Sequence, residues 1–365
     1  MKQKLVHLFS VLTTALFRLL PVRRRVFVYT IRSTDSLREN LQCVYAALHC
    51  KTVVFAKMLP HGKKDILRAR YYLLTSRVIL TDDYIRYLRD VKLHPQQKVI
   101  QIWHAVGAFK RFGLDAPSRL TPEEERRTHA AYTTVCVSAE AVRPFYASAF
   151  GIGIEKVQPL GVPRTDVLLD KAAMQQKRDA FLKANPALQN KTCYVYLPTF
   201  RETNGTVRPF DPQLPFDAIS RALQPDEVLL IGRHPVMQTP FFPPDTYKNI
   251  LDLSGTETTL LLSAAAVVIT DYSSVVFDAA LLGKPLLFYC PDLDDYERTF
   301  YLDYQTDLPG EICRDGNAFL PLVRQAKQTA NNEKIRQFCK IEAGACDGHS
   351  TERIMRLIET AVSDA

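Results

Sequence analysis

The sequence predicts an α/β protein built from two doubly wound, Rossmann-type domains facing a cleft. Three observations predict it. Short β-branched runs such as Val267-Val268-Ile269 are apolar without alternation, as in strands buried on both faces of a parallel sheet. These runs alternate with helical stretches, so strand–helix–strand units repeat along the chain. Polar clusters fall where the strands end, the edge at which open α/β sheets bind ligands. The 365 residues suffice for two ordinary domains with full cores.

Composition narrows the class. With 47% hydrophobic and 24% charged residues the chain is globular, and a disordered protein is excluded. A net charge of +8 and a pI near 9.0 point to an anionic partner: phosphorylated substrate, lipid headgroups or nucleic acid. There are eight cysteines but no CxxC and no Cys/His cluster at ligand spacing. Cys136, Cys193 and Cys290 sit inside apolar runs, so reduced core thiols are expected and no zinc site is.

Residues 1–22 form the first element. Leu5–Leu20 is shorter than the ~20 apolar residues that span a bilayer, and no small-residue cleavage site follows it. On a helix His7, Ser10, Thr14 and Arg18 fall on one stripe and the rest is apolar. Lys2 and Lys4 precede it, and Arg23, Arg24 and Arg25 follow. This suits a helix lying in an anionic membrane surface, or one docked on the protein's own core.

Residues 23–185 read as the first domain. Strands are expected at Arg25–Thr30, Thr52–Ala56, Val78–Leu80, Lys98–Trp103, Thr134–Ser138 and Val157. Helices are expected at Leu37–Leu48, at Lys64–Leu74 with its basic Lys63, Lys64, Arg68 and Arg70, from about Pro122, and at Ala139–Phe150. "PLGVPRTD" turns the chain, and Lys183–Lys191 reads as a linker. Residues 191–340 repeat the rhythm, with strands at Cys193–Tyr196, Val228–Ile231, Val267–Ile269 and Leu286–Tyr289. Ser273 or Ser274 caps a helix that runs to about Leu282, and Gly283 and Pro285 end it. Residues 341–365 hold a last helix, about Gly348–Val362, with Ser350 as cap and Glu352 near its start.

Four strand ends carry the chemistry: "VIQIW" leads into His104, "CYVYL" into Arg201, "VLLIG" into Arg233 and His234, and "VVIT" into "DYSS". His49, His61, His94 and His129 follow no buried strand and are read as incidental. Hydroxyls at the start of a helix after a buried strand, Ser273 and Ser274, are where a parallel sheet holds phosphate, although plain capping accounts for them equally.

"QIWHAVGAFKRFG" resembles the tryptophan–histidine motif of the CDP-glycerol glycerophosphotransferase family, which builds wall teichoic acids. "GVPRTD", "LPTFR", "GRHP", "DLSGTE", "ITDYSSVVFD" and "KPLLFYCPDLDDYERTFYLDYQTDLPG" match further motifs of that family in order, from about Val26 to Glu359. The resemblance implies a GT-B-like fold with an N-terminal acceptor domain, a C-terminal CDP-alditol domain and peripheral attachment to the cytoplasmic face of the cell membrane. It implies transfer of glycerol phosphate, or another alditol phosphate, from a CDP-alditol to a hydroxyl of a lipid-linked acceptor, with release of CMP. No nucleic acid partner, cofactor or metal is expected, since no Asp/Glu set reads as a Mg²⁺ cage. Two departures bear on the alditol: Ala105 stands where the family usually has Gly, and Thr299-Phe300 where it often has Arg-Gly.

Roles follow from the residue types. A hydroxyl nucleophile calls for a base, and His104 is the candidate, with His234 as a second catalytic histidine. Arg201, Arg233, His234, Asp252, Ser254, Thr270, Asp271, Ser273, Ser274 and Asp278 form the expected donor site, where charge gathers on phosphate oxygens. Lys110, Arg111, Arg23, Arg24 and Arg25 are assigned to membrane and acceptor. A CDP-ribitol-dependent transferase, a nucleotide-sugar glycosyltransferase of the same fold and a non-enzymatic membrane adaptor are the competing functions.

Overall fold

The structure is a computed structural model describing residues 12–58, 62–89, 91–117, 120–203, 206–328 and 332–364. The chain divides into two compact units, Met1–Asp166 with Gly344–Ala365, and Val167–Ala343.

In the first unit, strands β1 (Arg23–Thr30), β2 (Thr52–Ala56), β3 (Ser76–Thr81), β4 (Lys98–Gln101), β5 (Thr134–Cys136) and β6 (Val157–Gln158) make one parallel sheet in the order β2-β1-β3-β4-β5-β6. Val28 of β1 pairs with Leu80 of β3, and Leu80 with Ile100 of β4. These residues are buried with Leu41, Val44, Ile354 and Ile358. Unbroken β-branched strands fit because helices cover the sheet. The winding reverses at β1, so the switch point lies between β1 and β3.

The second unit repeats the design. Strands β7 (Thr192–Leu197), β10 (Glu227–Ile231), β11 (Ile250–Asp252), β12 (Ala265–Thr270), β13 (Leu286–Tyr289) and β14 (Glu311–Cys313) run parallel in the order β11-β10-β7-β12-β13-β14. A small antiparallel hairpin, β8 (Arg201–Thr203) and β9 (Thr206–Arg208), follows β7. The switch point lies between β7 and β12.

Three expectations are corrected. The first unit ends at Asp166, not at 185, because helix Lys171–Ala184 packs on helix Thr258–Ala264 of the second unit. The last helix, Ser350–Ser363, returns to the first unit and packs on β1, β3 and helix Glu39–Ala47. Its cap is not Ser350 but Asp166 of "GVPRTD", whose carboxylate accepts the Ser350 N–H (3.0 Å) and the Thr351 N–H (2.8 Å). A carboxylate there satisfies orphan donors and meets the positive end of the helix dipole.

The third correction is Arg25. Arg23 and Arg24 are exposed, but Arg25 is 4% exposed. It donates to Ser76 Oγ (3.0 Å) and Thr75 Oγ1 (2.5 Å) and lies over Tyr71 and Tyr72. It ties β1 to the end of helix Lys63–Thr75 and does not face lipid. Of the N-terminal segment, residues 12–18 are helical. His7, Ser10, Lys2 and Lys4 lie outside the described residues. Thr13 accepts from Arg70 (2.7 Å) and Phe17 meets Tyr71 edge-on at 5.5 Å, so one face docks on the protein. Leu12, Leu16 and Leu19 remain 60%, 59% and 83% exposed, which leaves the other face apolar and open.

Candidate active site

In the first unit the site grows from the end of β4. Trp103 has φ +49, the left-handed region that bulky residues rarely enter and that costs roughly 1–3 kcal/mol. Two amides hold it there. Trp103 N–H donates to Gln101 Oε1 (2.9 Å), and Asn40 Nδ2 donates to the Trp103 carbonyl (2.9 Å). Asn40 Oδ1 in turn accepts from Arg164 N–H (2.9 Å), a second role for "GVPRTD". The reversal brings the Trp103 ring onto His104, centroids 4.2 Å apart.

His104 is half-buried, and its Nδ1 lies 3.0 Å from the Asp82 carbonyl oxygen. A carbonyl can only accept, so Nδ1 carries the proton and Nε2 keeps its lone pair. His104 is thus set as a proton acceptor. Ala105 beside it is also half-buried, and Lys110 (half-buried) and Arg111 (exposed) follow in the next loop.

In the second unit the switch point is filled by a buried ionic cluster. Arg201 makes a two-point contact with Asp292 (2.6 and 3.0 Å) and donates to Asp271 (2.9 Å) and the Thr199 carbonyl (2.6 Å). Phe210, Tyr272 and Tyr296 surround its guanidinium at 4.0, 4.8 and 5.5 Å. Burial disfavours the charge on Asp292, but Arg201 outweighs it and holds the carboxyl below its usual range. Four of the five guanidinium N–H groups are therefore committed inside the protein. Arg201 braces the sheet end and is not an open phosphate ligand. Asp271, fully buried, accepts from Arg201, Thr199 N–H and Tyr272 N–H, and Thr270 donates to the Leu197 carbonyl (2.9 Å). Both were assigned to the donor; both face inward because alternate residues at a buried strand end point into the sheet packing.

The neighbouring strand ends are more open. Arg233 at the end of β10 bonds Asp252 of β11 (2.9 Å) and the carbonyls of Met237 and Thr239. Ser254 accepts from Arg233 N–H (3.0 Å) and donates to Asp252. His234 is exposed beside Phe200, with ring centroids 4.8 Å apart. Its Nδ1 accepts from Val236 N–H (3.2 Å), so the neutral ring carries its proton on Nε2. The backbone thus fixes the two histidines in opposite tautomers: His104 offers a lone pair, His234 a proton. Ser273 and Ser274 open the short helix Val275–Leu281; Ser273 Oγ accepts from Val275 N–H (3.3 Å), Ser274 makes no side-chain cap, and Asp278 lies in the first turn, half-buried.

Sequence reasoning missed Asn40, Gln101, Asp82, Asp292 and the Tyr272–Tyr296 stack (3.7 Å between centroids). Asp82 had a signal: it follows the apolar run "VIL" closely, as the other strand-end groups do. Asn40 and Gln101 had none, since each acts on the backbone of a residue remote in sequence or hidden in a strand.

Two doubly wound, six-stranded parallel sheets with polar groups at their carboxyl edges define a GT-B-like α/β protein. Among solved structures, the wall teichoic acid polymerase TagF superposes with a TM-score of 0.78 at 20% identity, covering 99% of this chain and 97% of that one. The family model for CDP-Glycerol:Poly(glycerophosphate) glycerophosphotransferase matches residues 12–360, and the chain belongs to that family. It is 33% identical to the teichoic acid poly(ribitol-phosphate) polymerase of Bacillus spizizenii over 93% of this chain, and 33% identical to the teichoic acid ribitol-phosphate primase of the same organism over 94%. It spans 57% of the polymerase's length and 92% of the primase's.

Proposed function

We infer that this protein transfers an alditol phosphate, glycerol phosphate in the first reading, from a CDP-alditol to a hydroxyl of a lipid-linked acceptor in the synthesis of teichoic acid or a related cell-surface polymer. The observation that carries this is the pair of opposed tautomers at His104 and His234. The acceptor oxygen bonds to the phosphorus bearing the alditol as the bond to CMP breaks, and the hydroxyl proton passes to His104 Nε2. His234 Nε2–H, with Arg233 and Ser273 beside it in sequence or at a neighbouring strand end, meets the charge that gathers on phosphate oxygens. Asp252, Asp271 and Asp292 are each held by an arginine, so they are not an open ligand set, and the reading carries no resident metal.

The acceptor is a membrane lipid, and the reading places the protein peripherally at the cytoplasmic face. No helix among the described residues is long and apolar enough to cross a membrane. The open face of Leu12, Leu16 and Leu19, together with the exposed Arg18, Arg23, Arg24, Lys63, Lys64 and Arg68, fits an anionic surface.

Ribitol phosphate is the second reading, favoured by the two ribitol-phosphate enzymes named above. The test is incubation with CDP-glycerol or CDP-ribitol and a short-chain lipid-linked saccharide ending in glycerol phosphate. CMP release with phosphorus retained on the acceptor supports the reading, and the faster donor identifies the alditol. A nucleoside diphosphate released from a nucleotide sugar would mark a glycosyltransferase. A folded protein without turnover on any donor would mark an adaptor.

A further inference from the structure

Asp82 lies at the end of β3, at the switch point of the first sheet, one strand from His104. It is 6% exposed, and its Oδ1 has no hydrogen-bond partner among the described residues. A buried carboxylate oxygen without a partner is costly, and folded proteins keep such groups rarely. The groups facing it can be named. On β1 the Thr30 hydroxyl, which accepts from Arg32 N–H (3.1 Å), bonds the carboxylate. The Arg32 guanidinium attracts it but is shared with Glu39 at 3.5 Å, and Asp83 repels it. On β4 the His104 ring lies on its own carbonyl.

We propose that Asp82 is the positioning residue of the base: its carbonyl fixes the His104 tautomer, and its buried carboxylate favours the imidazolium that forms when Nε2 takes the acceptor's proton. The proposal rests on the reading of His104 as base. The proton balance is closed. The acceptor O–H loses its proton to Nε2 as the new O–P bond forms, CMP carries away the electrons of the broken P–O bond, and the imidazolium returns the proton to solvent before the next turnover. No proton moves to Asp82. Its charge acts through the short path from its own backbone, in a site where burial keeps water from screening it. Burial also pushes its carboxyl up to about 6, so the charge is present at neutral pH and fades as acid is added.

The experiment compares wild type, Asp82→Asn and His104→Ala in CMP release from the CDP-alditol that turns over, with the saccharide acceptor above, from pH 5 to 9. Asp82→Asn keeps shape and the carbonyl contact but removes the charge. Expected are a roughly tenfold lower kcat, a KM for the donor within about twofold of wild type, and an acid limb of kcat/KM displaced to lower pH by about half a unit or more. A general loosening of the site would lower activity without moving that limb. An unmoved limb in an otherwise folded Asp82→Asn protein overturns the proposal. The second measurement needs no variant: ¹⁵N shifts of the His104 ring in wild type must show Nδ1 protonated at neutral pH and a titration with two coupled steps. A single step, or protonated Nε2, also overturns it. If His104→Ala retains wild-type turnover, the base assignment itself fails; if that variant is inactive while Asp82→Asn behaves as wild type, only the role of Asp82 fails.

Discussion

Asp82→Asn is expected to make the protein more stable at neutral pH as well as slower. Burial raises the Asp82 carboxyl from 3.8 to about 6 against the smaller opposing effects of Thr30 and Arg32. At ~1.4 kcal/mol for each tenfold change in proton affinity, that rise corresponds to about 3 kcal/mol. The sign follows from linkage. The folded protein holds the proton more tightly than the unfolded chain, so the stabilising contribution is complete below pH 3.8 and lost as pH rises through about 6. At pH 7.5 the carboxylate therefore lowers stability by its full amount. Asparagine cannot ionise and escapes this loss, less whatever its amide lacks in partners. Urea unfolding should show Asp82→Asn more stable than wild type by about 1–3 kcal/mol at pH 7.5, with the gap shrinking at pH 4.5. Equal or lower stability at pH 7.5, or a gain unchanged by acid, would refute the reasoning. A strained, charged group retained at such a cost is what a site selected for turnover would show.

Other outcomes follow from the same contacts. His104→Ala should lower turnover about a hundredfold or more while CDP-alditol binding by calorimetry survives; His234→Ala should weaken both, since it loses a donor to phosphate. Arg201→Ala should act on stability first, costing about 3–5 kcal/mol in thermal or urea unfolding because it strands the fully buried Asp271; a folded, wild-type-stable variant with weakened donor affinity would restore Arg201 as a phosphate ligand. Arg23→Gln with Arg24→Gln should weaken binding to vesicles containing anionic lipid at low salt by about 1 kcal/mol per residue, without change in melting temperature. Arg25→Gln should do the reverse, lowering the melting temperature while leaving vesicle binding nearly intact, because its partners are Thr75, Ser76 and two tyrosine rings.

Much of the fold was legible because parallel strands announce themselves. Val26–Val28, Val78–Leu80, Val228–Ile231 and Val267–Ile269 are apolar without alternation, and each was expected and found as a strand. The site was legible to the extent that ligand-facing groups in such sheets stand just after those runs, which picked out His104, Arg233 and His234. The same rule brought in Thr270, Asp271 and Arg201, which stand at a strand end yet turn inward. Position along the chain cannot separate a group aimed at solvent from one that closes the sheet.

Local spacing, the hydrophobic period and turn chemistry act over a few residues, and they were enough to set the two series of strands and helices and the edge at which chemistry gathers. Partner choice acts across tens or hundreds of residues and appeared only once the chain was folded. Asp166 caps a helix that begins at Ser350, Asn40 holds the carbonyl of Trp103, and Asp82 sets the proton on His104. The charge on Arg25 was plain in the sequence, but whether it met lipid or tyrosine depended on which surface β1 turned towards helix Lys63–Thr75. A hydrogen bond or ion pair is decided by the approach of two groups to within about 3 Å, and tertiary packing alone brings such distant residues that close.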